Sequence, residues 1–562
     1  MKTKERVNQW KKTPFDQPTI DAVIALENHP DKLEDAFYKN TEFGTGGMRG
    51  IMGVGTNRIN KYTLGRATQG VANYLRKTVA DPHQKVVIAY DCRNNSHTFA
   101  KVVAQIFSAN GIESYLFSSL RPTPVLSFTV RKLKAHCGIV LTASHNPPQY
   151  NGYKVYNAVG GQIVPPEDAA IIGEIEEVAF ADIQWNANSK LIHSIDQSID
   201  KAYTDRLIKE SLGAPHEREN LKIVFTPLHG TSVVSLPPVL KKAGYQHLYV
   251  VEEQATPDGN FPTVSSPNPE EREAFALALH YAKREDAAIV LGTDPDADRL
   301  GVGIKNLQGD WELLNGNQLM IVLTRFVLEQ KQISENAFIA STIVSTPLMP
   351  VLAKVYGVEC KVGLTGFKWI GKMIEDFPEQ QFLCGGEESY GFLFGDEVRD
   401  KDAISAALLA CDLQAHLAAQ GKSIYEYLID TYHRFGCYHE ELVAVTKEGK
   451  KGAEEISKMM ANFRKNPPKN IAGTPVEIME DYQASIRYVK DGRTETIPLP
   501  QSNVLRFILE DGACISIRPS GTEPKIKYYF SVTTTLQSAD AYCSTIEELK
   551  QQCQTYRKAF TQ

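Results

Sequence analysis

Three times along this chain of 562 residues, a short and mostly apolar segment ends abruptly in a polar loop. The segments lie at residues 139–141, 287–291 and 381–384, and segments with helical apolar spacing alternate with them. Short apolar runs that end in turn residues and alternate with helices predict α/β units. Ligands of open α/β sheets bind at the carboxyl ends of the strands. We therefore expect the three loops to carry the chemistry.

The pattern divides the chain into five segments. Residues 1–40 predict a charged, helical lead-in, and residues 41–214, 215–330 and 331–445 predict three similar α/β domains, the second with a helix at 270–283. The character changes after a Lys/Gly-rich stretch, and residues 446–562 predict a smaller α+β domain with antiparallel strands at 504–509, 514–517 and 525–532. At roughly 150 residues per domain, the length allows about three or four domains.

Composition excludes several classes of protein. The chain has 61 basic and 67 acidic residues, a net charge of −6, which disfavours non-specific binding to nucleic acid or anionic membranes. It shows no secretory signal and no run of 18 apolar residues that could span a membrane. Nine dispersed cysteines without a Cys-x-x-Cys pair indicate neither a disulfide framework nor a zinc knuckle, so we expect a cytoplasmic protein.

The first loop lies within residues 138–156. A buried strand stops at Thr-Ala-Ser-His-Asn, two prolines fix a bend, and an Asn-Gly turn leads into the next strand. Ser144 is thereby displayed at a strand end with the imidazole of His145 beside it and Lys154 on the following strand. On this local pattern alone, an ordinary turn and a reactive site are both open.

The second loop carries three aspartates, Asp294, Asp296 and Asp298, at alternate positions. On an extended segment these side chains point to the same side, and such close carboxylates repel one another unless a cation joins them. Hard oxygen ligands favour Mg²⁺. An EF-hand is excluded because Arg299 and Lys305 replace the glycine and glutamate it needs. A phosphatase with Asp294 as nucleophile would have Thr or Val at position 298, where this chain has Asp298, and this mismatch weakens that hypothesis. A solvated acidic turn is the plain alternative.

Other polar segments offer partners for an anionic or polar ligand. Four glycines surround Arg49, which suits the close approach of an anion. The segment 518–525 combines an arginine, two hydroxyls and backbone N–H groups, as an anion cradle requires. Glu-Glu-Ser at 387–389 offers acceptors for sugar hydroxyls, and Lys368 and Lys401 are candidate phosphate partners. Each segment alone also fits an ordinary surface loop.

Taken together, four motifs carry a resemblance. Thr-Ala-Ser-His-Asn-Pro at 142–147, Asp-Pro-Asp-Ala-Asp-Arg at 294–299, Gly-Glu-Glu-Ser at 386–389 and Arg-Pro-Ser-Gly-Thr at 518–522 resemble the α-D-phosphohexomutases in order and rough spacing. This is the phosphoglucomutase/phosphomannomutase family, and the resemblance covers about residues 40–535. It implies an α/β fold of three similar domains around a central cleft plus a smaller α+β C-terminal domain, each giving one loop.

The resemblance also implies roles for individual residues. Ser144 would carry a phosphoryl group and, with Asp294, Asp296 and Asp298, hold one Mg²⁺ per active site. Lys154 and His145 become candidates for general acid/base catalysis, Lys154 being the better one. The implied substrate-binding residues are Arg49, Arg299, Thr365, Gly366, Lys368, Glu387, Ser389, Lys401, Arg518, Ser520, Gly521 and Thr522.

The expected activity is interconversion of glucose 1-phosphate and glucose 6-phosphate through a phosphoserine enzyme, with glucose 1,6-bisphosphate as intermediate and primer. The Glu-Glu-Ser loop resembles the glucose-type loop. The segments 226–230 and 365–369, however, resemble a subgroup that includes phosphopentomutases and glucose-1,6-bisphosphate synthases. Phosphopentomutase, phosphomannomutase and synthase activities therefore stay open, as do an Asp-nucleophile sugar phosphatase and a non-catalytic sugar-phosphate-binding protein. The expected partners are small sugar phosphates, with no obligate protein partner evident.

Overall fold

Four β-sheets organise the chain. The computed structural model describes residues 2–44, 47–195, 197–213, 217–447, 449–520 and 525–561. In these residues, three sheets of six, five and four strands combine parallel strands with antiparallel neighbours, and a fourth, eight-stranded sheet is antiparallel throughout. The predicted fold class, three α/β domains followed by a C-terminal α+β domain, is confirmed.

The charged lead-in folds as a helical cap. Its helices are α1 (Thr3–Gln9), α2 (Gln17–Leu26) and α3 (Pro30–Phe37). Trp10 is fully buried between them and stacks on Phe15 with ring centroids 4.3 Å apart. Its edges meet Phe37, Tyr62 and Phe180, of which the last two belong to the first α/β unit. The cap is therefore packed onto the first unit through an aromatic cluster.

The first α/β unit is built on a sheet of order β1-β5-β4-β2-β3-β6. Its elements are β1 (Gly47–Ile51), α4 (Lys61–Thr78), β2 (Lys85–Tyr90), α5 (Ser96–Ala109), β3 (Glu113–Phe117), α6 (Thr123–Leu133), β4 (Cys137–Leu141), β5 (Tyr150–Tyr156), α7 (Glu167–Glu177), β6 (Ile192–Ile195) and α8 (Gln197–Glu210). Strands β4, β2, β3 and β6 run parallel, whereas β5 and β1 are antiparallel additions. The Ser144 loop joins β4 to β5.

The second unit has the sheet order β11-β10-β9-β7-β8. Its elements are β7 (Lys222–Thr226), α9 (Leu236–Ala243), β8 (His247–Val250), α10 (Glu252–Ala255), α11 (Ala276–Glu285), β9 (Ile289–Thr293), β10 (Leu300–Lys305), β11 (Trp311–Leu313) and α12 (Gly316–Gln330). The helix predicted at 270–283 is wrong at its start. Glu270 pairs with Arg299, and a 3₁₀ turn at Arg272–Phe275 precedes α11. The aspartate loop joins β9 to β10.

The third unit has the sheet order β13-β12-β14-β15. Its elements are β12 (Phe338–Thr342), α13 (Leu348–Val355), β13 (Glu359–Gly363), α14 (Lys368–Asp376), β14 (Phe382–Glu387), β15 (Gly391–Phe394), α15 (Ala403–Ala418) and α16 (Ile424–Phe435). The Glu-Glu-Ser loop joins β14 to the antiparallel β15. All three units thus place their polar loop in the same position, between a parallel-sheet strand and an antiparallel neighbour.

The C-terminal unit has the strand order β16-β23-β22-β21-β18-β19-β20, with β17 beside β18. Its elements are β16 (Cys437–Thr446), α17 (Gly449–Lys465), β17 (Asn470–Ile471), β18 (Thr474–Asp481), β19 (Ile486–Val489), β20 (Thr494–Thr496), β21 (Leu505–Leu509), β22 (Cys514–Pro519), β23 (Lys525–Thr534) and α18 (Tyr542–Thr561). The three predicted strands are present. Strand β16 precedes the boundary predicted at 446, yet it pairs along its whole length with β23.

One buried apolar cluster runs through all four units. It includes Val87 of β2, Ile289 of β9, Phe338 of β12 and Phe530 of β23. Because the units share this core, the loops at their strand ends are held in fixed relation to one another. In the described part of the chain, no helix is both long and apolar enough to cross a membrane.

Candidate active site

The loops of the first three units meet at one point. The hydroxyl of Ser144 donates to Oδ2 of Asp294 at 2.7 Å. The ammonium of Lys154 lies 2.8 Å from Asp296 and 3.2 Å from Asp298, and Lys401 of the third unit lies 3.2 Å from Asp298. Residues that are more than 100 positions apart in sequence therefore share one charged centre.

Ser144 is held in an unusual backbone conformation. Its φ of 51° lies in the left-handed region, and the residue is only 3% exposed. The hydroxyl of Thr142 accepts the Ser144 N–H at 2.9 Å. The guanidinium of Arg93 donates hydrogen bonds to four backbone carbonyl oxygens along the loop, those of Ser144, Asn146, Pro147 and Tyr150, and so fixes the loop backbone. A positive φ costs roughly 1–3 kcal/mol at a non-glycine residue and persists where surrounding contacts enforce it.

The three aspartates converge, but not for the predicted reason. One carboxylate oxygen from each lies within 4.8 Å of the others. The segment is a turn and not extended: Ala297 has a φ of 55°, and its N–H bonds to the Asp294 carbonyl at 3.0 Å. Thr231 supports this turn by donating to the Pro295 carbonyl through both its N–H and its hydroxyl. At Gly230, any Cβ would lie 2.6 Å from Cα of Pro295, so the close approach requires glycine.

The oxygen atoms of the aspartates are suited to a divalent cation. Lys154 binds Oδ2 of Asp296 and Oδ2 of Asp298. Oδ1 of each of these two aspartates is buried without a hydrogen-bond partner. Buried carboxylate oxygens are ordinarily hydrogen-bonded, so two unsatisfied oxygens in one acidic cluster indicate a place for a cation. The acidic triad can therefore bind a metal.

Charge compensation in the triad is uneven. Burial and then the neighbouring carboxylates of Asp296 and Asp298 raise the pKa of Asp294 well above its usual value. Burial also opposes ionisation of Asp298, but Lys154, Lys401 and Arg299 outweigh it and hold the pKa of Asp298 well below normal. Burial works against the charge of Lys154 as well, yet Asp296 and Asp298 prevail and raise its pKa. Lys154 is thus a firmly held ammonium group.

His145 is placed beside the serine hydroxyl. Its Nδ1 lies 3.0 Å from Oγ of Ser144. Burial, followed by the positive charges of Arg299 and Arg49, lowers the pKa of His145 well below its usual value. The imidazole is therefore neutral at physiological pH and can exchange a hydrogen bond with the serine hydroxyl.

Two further cations line the centre. Arg49 lies on β1 and donates to Oδ1 of Asn146 at 2.8 Å, so it is attached to the Ser144 loop. Arg299 follows the aspartate turn and pairs with Glu270; its Nε lies 4.0 Å from Oδ1 of Asp298 and is buried without a hydrogen-bond partner. Arginine in such positions offers a planar donor set suited to phosphate.

The Glu-Glu-Ser loop presents its members differently. Glu387 is 6% exposed, and burial raises its pKa to about 7, with Lys401 opposing and Glu388 adding to the rise. Glu388 is bound by the hydroxyl of Ser345 at 2.8 Å. The hydroxyl of Ser389 reaches Glu388 at 3.5 Å. Of the two glutamates, Glu387 is the one that interacts electrostatically with Lys401 and Arg299 of the charged centre.

The segment after β13 carries three of the predicted binding residues. The Thr365 hydroxyl is buried without a partner. Gly366 has a φ of 111°, and a Cβ there would meet nothing within 4 Å, so glycine is required by backbone conformation alone. Lys368 begins α14, and burial lowers its pKa to about 8, with Arg518 adding to the effect and Asp168 opposing it.

The fourth unit contributes basic residues that interact electrostatically with residues of the charged centre. Arg518 lies on β22, opposite Lys527 of β23. The Ser520 N–H bonds to the Lys525 carbonyl at 2.7 Å. Burial and then Arg518 lower the pKa of Lys527, whose other electrostatic partners are Glu270, Glu388 and Arg299. Gly521 and Thr522, two of the predicted binding residues, lie outside the described residues.

Several site residues were not predicted from the sequence. Arg93 supports the Ser144 loop, Thr123 donates to Oδ2 of Asp296 at 2.9 Å, and Glu270 pairs with Arg299. Lys527 joins Arg518. The only signal for Arg93 is its place in an Asp-Cys-Arg segment directly after β2, at the carboxyl end of a strand. A lone threonine or lysine gives no comparable signal.

Comparison with known proteins identifies the family. Four models of phosphoglucomutase/phosphomannomutase domains match the chain: alpha/beta/alpha domain I at residues 40–182, domain II at 201–309, domain III at 315–435 and the C-terminal domain at 442–549. A phosphoglucomutase of Staphylococcus haemolyticus is 38% identical over 504 residues, which cover 89% of this chain and 91% of that protein. A phosphoglucomutase of Staphylococcus aureus is 38% identical over 532 residues, covering 92% and 96%.

Solved structures share the fold. One is the open form of pp63/parafusin, a phosphoglucomutase from Paramecium, with a TM-score of 0.66 and 18% identity, covering 92% of this chain and 96% of that one. Another is a phosphoglucomutase/phosphomannomutase family protein from Burkholderia thailandensis, with a TM-score of 0.66 and 19% identity, covering 91% and 96%. Together with the four domain matches and the close relatives, these likenesses show that the chain belongs to the phosphoglucomutase/phosphomannomutase family of isomerase-class mutases.

Proposed function

We propose that the protein is a phosphoglucomutase that interconverts glucose 1-phosphate and glucose 6-phosphate through a phosphorylated Ser144. The observation that carries this proposal is the 2.7 Å contact between the Ser144 hydroxyl and Asp294, at the centre where three units meet. The staphylococcal relatives named phosphoglucomutase support the choice of sugar. We place the protein in a reducing cytoplasm, in keeping with its nine free cysteines.

In this proposal, one Mg²⁺ would be held by Asp294, Asp296 and Asp298 together with the phosphorylated Ser144. The two orphaned Oδ1 atoms support this assignment. When bound, the ion would neutralise charge on the transferring phosphoryl group, which is most of what phosphoryl transfer requires. Lys154, Lys401 and Arg299 add positive charge around the same carboxylates.

Proton transfer is assigned to the two groups beside Ser144. Lys154 is an ammonium within the aspartate cluster and is suited to act as a general acid. His145 is a neutral imidazole 3.0 Å from the serine hydroxyl and is suited to accept its proton when the serine is rephosphorylated. When the sugar hydroxyl attacks phosphoserine, it loses one proton and the serine oxygen gains one. When the serine is rephosphorylated, it loses that proton and the released sugar oxygen gains one, so the full cycle consumes no net proton.

Substrate binding is assigned to the cleft around this centre. Glu387 and Ser389 would bind sugar hydroxyls, and Thr365 and Gly366 would border the sugar. The phosphate that is not reacting would be held by residues of the fourth unit, namely Arg518, Ser520, Gly521 and Thr522. Further positive charge would come from Arg49, Arg299, Lys368 and Lys401. Glucose 1,6-bisphosphate would form, turn over in the cleft and return its other phosphoryl group to Ser144, which requires a distal site that accepts either phosphate.

The proposal predicts a phosphorylated serine. Intact-protein mass spectrometry after incubation with glucose 1,6-bisphosphate and Mg²⁺ should show one added phosphoryl group, and peptide mapping should locate it at Ser144. Ser144→Ala should abolish both the modification and interconversion. Ser118→Ala alters an exposed serine of the same unit and is the matched control. Full activity of Ser144→Ala, with steady phosphate release, would instead favour an aspartate-nucleophile phosphatase.

The sugar is tested separately. Values of kcat/KM on glucose, mannose and ribose 1-phosphates should rank glucose first. A ranking led by ribose would indicate a phosphopentomutase, and one led by mannose a phosphomannomutase. Accumulation of free bisphosphate from an acyl-phosphate donor would indicate a synthase. Absence of turnover with every sugar phosphate would indicate a binding protein.

A further inference from the structure

A second group of metal-ligating side chains lies far along the chain from the aspartates. Among the residues that the structure describes, two groups of three or more His, Cys, Asp or Glu side chains bring their ligand atoms within 4.8 Å of one another. One is the aspartate triad. The other consists of His439, Glu441 and Cys553, all in the C-terminal unit.

The fold brings these three residues together across two elements. His439 and Glu441 are two positions apart on β16, so they project from the same face of this edge strand. Cys553 lies on α18, which packs across β16 and β23. Nε2 of His439 is 3.2 Å from Oε1 of Glu441. Because Cys553 lies more than 100 residues from the other two ligands, no local spacing in the sequence could indicate the site.

The site has a buried floor and an accessible mouth. Cys553 is fully buried, whereas the side chains of His439 and Glu441 are 18% and 25% exposed. An ion could therefore reach the thiol from the His439–Glu441 side without opening the core. Burial and then the neighbouring Glu441 carboxylate raise the pKa of the Cys553 thiol, so the ion must displace a proton to form the sulfur–metal bond.

We propose that His439, Glu441 and Cys553 form a binding site for a zinc-class divalent ion that fastens the C-terminal helix to the edge strand of the fourth sheet. Sulfur, nitrogen and oxygen ligands together suit Zn²⁺, with water in the fourth position. Mg²⁺ requires oxygen ligands and suits the aspartate triad instead. The two sites should therefore differ in the metal that they prefer. When the zinc-class ion binds, the Cys553 thiol releases its proton to solvent and the sulfur bonds to the metal.

Cobalt provides the probe, because Co²⁺ occupies zinc sites and its thiolate bond gives a near-ultraviolet charge-transfer band. Metal-free, full-length protein is titrated with Co²⁺ in excess Mg²⁺, which keeps the aspartate triad filled. The absorbance of this band should increase until one Co²⁺ is bound per chain. It should disappear when Zn²⁺ is added, whereas further Mg²⁺ should leave it unchanged. Absence of a thiolate band in the wild-type protein would overturn the proposal.

Variants locate the signal. Cys553→Ser should lose the band, and His439→Gln, at a half-buried position, should weaken Co²⁺ binding about tenfold or more. Cys543→Ser is the matched control, since Cys543 is the exposed cysteine of the same helix, and it should bind as the wild type does. A band that survives in Cys553→Ser, or one lost in Cys543→Ser, would refute the site. If Cys553→Ser does not fold, His439→Gln decides.

Discussion

The hydroxyl of Ser345 donates to Oε2 of Glu388 at 2.8 Å and accepts the Glu388 N–H at 3.1 Å. Ser345 belongs to the loop after β12, and Thr342 at the end of that strand lies 2.8 Å from the same hydroxyl. The middle residue of the Glu-Glu-Ser loop is therefore fixed from an adjacent strand of its own sheet. This relationship makes Ser345 a positioning residue for the proposed sugar-binding loop.

Replacing Ser345 should loosen that loop. Ser345→Ala removes a hydrogen bond to a charged group, which contributes about 1.5–3 kcal/mol. We expect KM for glucose 1-phosphate to rise about tenfold or more, with a smaller change in kcat, because the chemical centre at Ser144 is untouched. Ser334→Ala, at an exposed position of the same unit, should change neither constant. Steady-state kinetics measure both, and an unchanged KM would contradict the assignment.

Asp296 should be needed for metal-dependent turnover. Asp296→Asn removes one of the two orphaned carboxylate oxygens as a charged ligand. Loss of one preorganised charged group at a reaction centre typically costs about 10²–10³ in rate. We expect a loss of that size, with the dependence on Mg²⁺ shifted to higher concentration and the circular dichroism spectrum unchanged. Asp310→Asn, in an exposed turn, is the control. Unaltered Mg²⁺ dependence would argue against the triad as the metal site.

The α/β units were predictable because their strands are buried and end at sharp polar loops. The run at Ile289–Thr293 illustrates this, since every residue in it is buried. Strand β16 escaped prediction because it is an edge strand with one buried residue, and from Leu442 onward exposed positions alternate with partly buried ones, which weakens its apolar signal. The start of α11 was misplaced for a different reason: pairing of Glu270 with Arg299 is a tertiary contact that sequence periodicity does not contain.

The clustering of the candidate site residues was predictable where several of them stand in one motif, and not where a single residue contributes. Ser144 and the aspartates stand in compact, ordered motifs. The convergence of the aspartates was expected from an extended segment, but the left-handed Ala297 produces it through a turn. Arg93 and Thr123 contribute through contacts across the fold, to the Ser144 loop and to Asp296, and neither contact leaves a trace in local sequence.

Deprotonation of Lys368 should lower the activity of the enzyme at alkaline pH. Its pKa is lowered to about 8, so the ammonium loses its charge as pH rises through that value in the free enzyme. Because kcat/KM reports free-enzyme ionisations, it should fall above about pH 8 as phosphate binding weakens. Lys368→Arg keeps the charge and should move this fall to higher pH. Lys354→Arg, at an exposed site in the same unit, should leave the profile in place. If kcat/KM of Lys368→Arg fell at the same alkaline pH as that of the wild type, Lys368 would be excluded as the cause of the fall.

Glu440 should make stability fall with rising pH. Burial raises its pKa to about 7, against the opposing hydrogen bond of Thr346, and its Oε1 is buried without a partner. Because the folded-state pKa exceeds the unfolded value of about 4.3, the stabilisation is complete below that value and is lost as pH rises through 7. The Tm of Glu440→Gln minus the Tm of the wild type should therefore be more positive at pH 8 than at pH 5.

Calorimetry at the two pH values measures this effect. Glu454→Gln alters an exposed glutamate of α17 and should follow the wild-type profile, which accounts for other titrating groups. A pH-independent difference between Glu440→Gln and wild type would show that Glu440 does not titrate in this range.

The aromatic cluster around Trp10 has a consequence for solubility. Tyr62 and Phe180 belong to the first α/β unit, but their rings are covered by Trp10 and Phe15 of the lead-in. A chain that began at residue 40 would expose these rings, together with Ile106, as one contiguous apolar patch. Patches of this kind drive association between molecules. The first forty residues therefore cover apolar surface of the first α/β unit and protect that unit from self-association.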